Sequence, residues 1–181
     1  MNIHGTTIIA LRDPKARCAV VASDGQATMN NMVLKANTKK ARRIFDGQVL
    51  IGFAGATADA MTLFERFEGK LREYSGNLVR ASVELTKDWR TDRVLRRLEA
   101  LMVVANEEAL LTISGAGDVM EPDDGIIGLG SGGGYALAAA RALRGETDLS
   151  LTEIAEKSLL IAAGLDIYTN DHIHIEVLEW Q

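Results

Sequence analysis

The sequence predicts an α+β fold, with mostly antiparallel sheets stacked into a four-layer α-β-β-α sandwich. Three observations carry that expectation. Strand-like runs come in hairpins and do not alternate one by one with helices, which argues against a doubly wound parallel sheet. Two helix-periodic stretches sit together in mid-chain and two more near the C-terminus, so the order is strands, helix pair, strands, helix pair, strand. The 181 residues, 47% apolar and 25% charged, suit one globular domain with a sizeable core.

Thr7–Leu11 reads as the first strand. Arg12–Arg17 is a turn in which Pro14 fixes φ, and Cys18–Ala22 returns as the hairpin partner. Ser23–Thr28 reads as a tight turn. Lys40–Phe45 and Val49–Phe53 form a second hairpin across Asp46-Gly47-Gln48, and Asp-Gly is a good turn signal. The period then lengthens. Over Thr57–Tyr74 the residues Ala58, Met61, Leu63, Phe64, Phe67 and Leu71 fall near one helical face. A second helix, Asn77 to about Leu98, carries Leu78, Ala81, Leu85, Trp89 and Leu95 at similar spacing. Strand signals return at Ala100–Ala105, Ala109–Ser114 and Gly125–Leu129. Gly132–Leu143 and Ser150–Gly164 read as two more helices, the second with Ser150 or Thr152 as cap and Glu153 placed for a capping box. His172–Trp180 closes the chain as an alternating strand.

Composition excludes several function classes. A formal charge of −5 argues against a nucleic-acid binder and against an anionic membrane surface as partner. The basic clusters Lys39–Arg43 and Arg90–Arg97 are short, and read as solvated faces or subunit contacts. The single cysteine, Cys18, sits in an apolar run and reads as a buried strand residue, which fits a reducing compartment. No basic-then-apolar secretory leader opens the chain, and no apolar run approaches the ~18–20 residues of a membrane span. A cytoplasmic protein is expected. His4, His172 and His174 form no zinc pattern with that one cysteine. His172 and His174 share a strand face that reads as solvent or interface.

No histidine triad is plausible. Gly130-Ser131-Gly132-Gly133-Gly134 lacks the spacing of a nucleophile elbow, and no lysine follows it as in a phosphate-binding P-loop. The sequence raises a different possibility at its start. Met1–Gly5 precede the first strand, either as a frayed tail or as a segment to be removed. A threonine at a free N-terminus supplies both a nucleophile and a base, because its own α-amine can take the hydroxyl proton. An α-amine has a pKa of roughly 7.7–8.0, close to the pH at which it must work. The logic requires the Gly5–Thr6 bond to break, and Gly5 places no side chain against the attacking hydroxyl.

Around that threonine the motifs "SDGQAT", "KANTKKARR", "GFAGATADAMTLFERFEGKL", "LTKDWRTDRVLRRLEALM", "GLGSGG", "YALAAARAL", "EIAEKSL" and "IYTN" follow in order from Thr6 to about Trp180. Together they resemble the HslV (ClpQ) family, relatives of proteasome β subunits. The resemblance implies an N-terminal nucleophile hydrolase with the four-layer sandwich, acting as a threonine endopeptidase. It implies a homododecamer of two stacked hexameric rings, fed with unfolded protein substrates and activated by hexamers of HslU, an AAA+ ATPase. ATP would bind that partner and not this chain, in keeping with the missing P-loop; the chemistry itself would need no cofactor. Residues 1–5 would be a propeptide removed by autocatalytic cleavage, leaving residues 6–181 as one peptidase domain.

Site roles follow from the same match. Thr6 stands at the nucleophile, with its freed amine as base. Lys40 matches the lysine beside the hydroxyl, Asp24 the acid that orients that lysine, and Gly55 the residue whose N–H faces the substrate carbonyl. Ser131 matches a serine near the amine, and also suits the N-cap of the following helix. The resemblance further implies a Na⁺ or K⁺ ion on the backbone carbonyls of Ala163, Asp166 and Thr169. Two departures stand out. Ser23 occupies a position where the family commonly has glycine. Asp166 stands where HslV often has cysteine and proteasome β subunits have aspartate, which suggests a site-organising role. Two rival readings are a silent ring subunit, disfavoured by the joint presence of Gly5, Thr6, Asp24 and Lys40, and an unrelated protein holding phosphate at the Gly130–Gly134 loop, disfavoured by the absence of a following basic residue.

Overall fold

The computed structural model describes residues 3–4, 6–55, 57–92, 95 and 100–181. Two antiparallel sheets form the centre. One has the strand order β11(Ile126–Gly130), β2(Thr7–Asp13), β3(Cys18–Ser23), β12(His174–Glu179). The other runs β10(Val119–Met120), β9(Leu110–Ser114), β8(Leu101–Ala105), β7(Val49–Ala54), β6(Ala41–Ile44).

Side-chain alternation along β2 and β3 explains the layering. Ile8 and Ala10 with Ala19 and Val21 join Leu50, Val103 and Ala105 in a cluster between the two sheets. The intervening residues, Ile9 and Leu11 with Val20 and Ala22, pack instead on Ala136, Ala140, Ile154 and Leu159 of helices α3(Gly133–Glu146) and α4(Leu151–Ala163). Both faces of these strands are therefore buried, which is why they read as unbroken apolar runs. On the far side, α1(Thr57–Glu73) and α2(Leu78–Thr91) cover the second sheet through Phe67, Leu71, Leu85 and Trp89 against Ile51, Met102 and Val104. The four-layer order α-β-β-α is the one expected.

Differences are local. Ala27 to Thr28, expected in a turn, begin β4(Ala27–Met29), which pairs with β5(Met32–Lys35). The link is Asn30-Asn31, with Asn30 at φ 53°, a conformation asparagine tolerates better than most residues. These strands hid from pattern reading because they are short and β5 is exposed throughout, so it shows no in-out alternation. Ile3–His4 form β1 and pair with β4, so this part of the expected propeptide is strand and not frayed tail. Met61 is 42% exposed and does not share the buried face of α1; the side chain of Ala58 lies outside the described residues. Helix α2 ends at Thr91, capped by the N–H of Asp92 on the Asp88 carbonyl. The remainder of the expected helix lies largely outside the described residues. Cys18 is only half-buried, and burial with the Glu179 and Asp13 carboxylates pushes its thiol pKa up. His172 precedes β12, while His174 opens it and pairs with Glu176 at 3.0 Å. Ser150 and Glu153 close the expected capping box on α4. No helix among the described residues is long and apolar enough to cross a membrane.

The α1/α2 layer carries a stability test remote from the candidate site. Leu85 is fully buried, and Leu85→Ala is expected to lower the unfolding free energy by about 2–5 kcal/mol. The readout is a fall in denaturant midpoint at unchanged slope.

Candidate active site

Strand register brings the candidate residues together. β11 lies antiparallel to β2 with Gly130 opposite Thr7, and the next residue, Ser131, donates its N–H to the Thr6 carbonyl at 3.0 Å. The alternation of β2 puts Thr6 on the inter-sheet side with Ile8 and Ala10, and Thr7 on the side of α3 and α4. Glycine is required at Gly130. Its φ is +86°, and a Cβ there would stand 1.7 Å from the Thr6 carbonyl oxygen.

Asp24, fully buried just past β3, is the first anchor. Its Oδ1 accepts the Thr7 N–H at 2.8 Å and the Lys40 ammonium at 2.7 Å. Its Oδ2 accepts the N–H of Gln26 at 2.8 Å and of Asn170 at 3.4 Å. Its own N–H donates to the Thr7 carbonyl at 3.1 Å. A buried carboxylate survives when its lone pairs are filled and a cation is near. Lys40 is itself buried, and that burial pulls its pKa below the ordinary ammonium value. The Asp24 charge and hydrogen bond, then the Asp166 charge, oppose the shift without cancelling it. Lys40 thus gives up its proton more readily than a surface lysine does.

Asp166, in the loop after α4, is the second anchor. Its Oδ2 accepts the hydroxyls of Ser131 at 2.7 Å and Thr169 at 2.5 Å, and its Oδ1 the N–H of Tyr168 at 3.2 Å. The α4 end holds the loop, since the Asp166 N–H donates to the Ala162 carbonyl at 2.8 Å. Asp166 thus gathers two hydroxyls and one backbone N–H at a single carboxylate. Ser131 is not the N-cap of α3. That position belongs to Gly132, which has no side chain to cap with, and the Ser131 hydroxyl is committed to Asp166.

Gly55 follows β7 directly. Phe53 in that strand donates its N–H to the Lys40 carbonyl at 3.3 Å, which ties the two candidate segments together. Gly5 lies outside the described residues. Ala163 ends α4, and the Asp166 carbonyl accepts the Thr169 N–H at 3.1 Å. Among the described residues no group of three His, Cys, Asp or Glu could hold a metal ion, which leaves carbonyl ligation of a monovalent ion as a separate matter. Sequence reasoning missed Asn170, whose Oδ1 accepts the Gly25 N–H at 3.0 Å while its Nδ2 donates to the Ala36 carbonyl at 2.8 Å. It also missed the Thr7 and Thr169 hydroxyls, 2.7 Å apart. The available signal was the Asp166-x-x-Thr169 spacing, which returns a hydroxyl to its own loop's carboxylate.

A family model for proteasome subunits matches residues 3–178. The crystal structure of eukaryotic HslV from Trypanosoma brucei superposes with a TM-score of 0.90 at 46% identity, over 96% of this chain and 99% of that one. This chain belongs to the proteasome family, in its HslV group. A Thiobacillus denitrificans BPH protein, solved in complex with epoxomicin, shares the fold at a TM-score of 0.73 and 19% identity, over 96% of this chain and 98% of that one. The HslV-group assignment and the sandwich fold read from sequence both stand.

Two outcomes follow from the geometry. Asp24→Asn removes the charge that opposes burial at Lys40, so the lysine is expected to lose its proton at a lower pH than in the wild type. NMR titration of the Lys40 side chain reads the shift, and an unchanged or raised value would contradict the pairing. Gly130→Ala sets a methyl against the Thr6 carbonyl, and is expected to break the Ser131–Thr6 hydrogen bond, read as faster amide exchange at Ser131.

Proposed function

We propose that this chain is a threonine endopeptidase subunit in which Thr6, freed at its N-terminus, is the nucleophile. The observation that carries the reading is the shared Asp24 carboxylate. One oxygen holds the Lys40 ammonium and the first peptide N–H after Thr6 at 2.7 and 2.8 Å. A cation is thereby stationed beside the start of β2, inside a buried site where its field is little screened.

Maturation comes first. The Thr6 hydroxyl attacks the Gly5 carbonyl, the Gly5–Thr6 peptide bond breaks, and Met1–Gly5 depart after hydrolysis. The pairing of Ile3 and His4 with β4 supports this, because it holds the departing segment as an extended strand just before the cut. The new α-amine then serves as base. It takes the Thr6 hydroxyl proton as Oγ1 bonds to a substrate carbonyl carbon, and returns that proton to the leaving amine as the substrate C–N bond breaks. Water, deprotonated by the same amine, releases the acyl group from the ester. Lys40 favours the neutral amine and the developing alkoxide, and the Gly55 N–H faces the oxyanion, an interaction worth about 3–4 kcal/mol where such donors have been removed. Ser131 and Asp166 hold and relay the proton at the amine.

The assembly proposed is a homododecamer of two stacked hexameric rings, supplied with unfolded protein by HslU, with ATP spent on that partner. A Na⁺ or K⁺ ion is proposed on the carbonyls of Ala163, Asp166 and Thr169. The donor set fits a hard cation, and the Asp166 carbonyl keeps a second lone pair beyond its bond to Thr169. Such an ion would brace the loop that presents the Asp166 carboxylate.

Intact mass and a fluorogenic-peptide assay, with and without HslU and ATP, test the proposal. The mature chain is expected to lack Met1–Gly5, and Thr6→Ala to retain them and lose hydrolysis. Undiminished hydrolysis by Thr6→Ala would overturn the nucleophile.

A further inference from the structure

Thr7 opens β2, two and four residues ahead of the core positions Ile9 and Leu11, and is wholly buried, where a valine would satisfy both strand propensity and packing. A hydroxyl at such a place costs stability unless it is hydrogen-bonded. Its bonds have only one consistent direction. Thr169 donates its single proton to Asp166 Oδ2. Between the two threonine hydroxyls, 2.7 Å apart, Thr7 must therefore be the donor and Thr169 the acceptor. Thr7 Oγ1 then has its lone pairs free to accept the Gly132 N–H at 2.9 Å. The chain runs one way, from Gly132 through Thr7 and Thr169 to Asp166, which also receives Ser131. The approach is tight: a Cβ on Gly132 would stand 2.4 Å from Thr7 Oγ1 and 2.7 Å from Thr169 Oγ1.

The main chain of Thr7 engages the other anchor, donating its N–H to Asp24 and accepting the Asp24 N–H at its carbonyl. Thr7 is thus one residue joined to both buried carboxylates, by backbone to Asp24 with Lys40 and by side chain to Asp166 with Ser131. We propose that Thr7 is a positioning residue for peptide hydrolysis, its hydroxyl holding the Asp166–Ser131 pair in register with Thr6. The inference rests on Thr6 being the nucleophile.

The test compares wild type, Thr7→Val and Thr7→Ser, each produced as a fusion whose removal leaves Thr6 first, with intact mass counting correct chains. Thr7→Val keeps the shape but not the hydroxyl, and is expected to lower kcat per correct chain by about tenfold or more at nearly unchanged KM. Thr7→Ser is expected to recover most of that loss. Wild-type kcat in Thr7→Val, equal losses in Thr7→Val and Thr7→Ser, or a loss confined to KM would each overturn the role of Thr7 while leaving the nucleophile in place. An inert wild type would instead overturn the threonine-peptidase reading, and this inference with it. Should Thr7→Val not fold, Thr169→Val breaks the same chain one link further on. It is expected to show the same fall in kcat at nearly unchanged KM, and wild-type kcat there overturns the proposal.

Discussion

The buried Asp24 carboxylate is the constraint on which the rest depends. Four donors converge on its two oxygens from four places in the chain: Thr7 in β2, Gln26 ahead of β4, Lys40 ahead of β6, and Asn170 in the loop before β12. Removing any one would leave charge or a lone pair uncompensated in a dry interior, which is far more costly than the bond's net worth. The carboxylate therefore dictates where those segments meet. The two central sheets supply the walls, and this one anion sets the register at their open end.

The second carboxylate complements the first at the same end of β2, reached through the Thr7 side chain where Asp24 is reached through its main chain. Asp24 works through the backbone and a cation. Asp166 works through hydroxyls, on a loop tethered to the end of α4. The alternation of a strand sends neighbouring side chains to opposite faces, so Thr6 and Thr7 address different layers of the sandwich although they are adjacent. Gly130 and Gly132 allow β11 and the start of α3 to close on that strand end, one against the Thr6 carbonyl and the other against the Thr7 hydroxyl.

Much of this was legible in the sequence, for identifiable reasons. The helices announce themselves by period, as on the buried Leu78–Trp89 face, and the central strands by unbroken apolar runs such as Ile8–Leu11 and Ala19–Ala22. Thr6, Asp24, Lys40, Gly55 and Ser131 stand out as candidates because ordered motifs surround them. What escaped had no period or depended on distant partners. The β4–β5 hairpin has too few residues, and β5 has no buried face. Met61 fell on the wrong side of a helix because a broad apolar stripe does not say where burial stops. Ser131 resembled a helix cap locally, and only the arrival of Asp166, 35 residues later in the chain, decided where its hydroxyl would point. Asn170 is invisible for the same reason, as its partners Gly25 and Ala36 lie far upstream.

Chain ends usually fray, because nothing holds their first residues in place. Here the strand that follows Thr6 lies inside its sheet, with β11 on one edge and β3 on the other. An end created at that point would start life already immobilised on both sides. The entropy of orienting a reactive terminus is then charged to folding and not to each turnover. Cutting the chain there converts a well-ordered interior residue into a terminus without granting it a terminus's freedom.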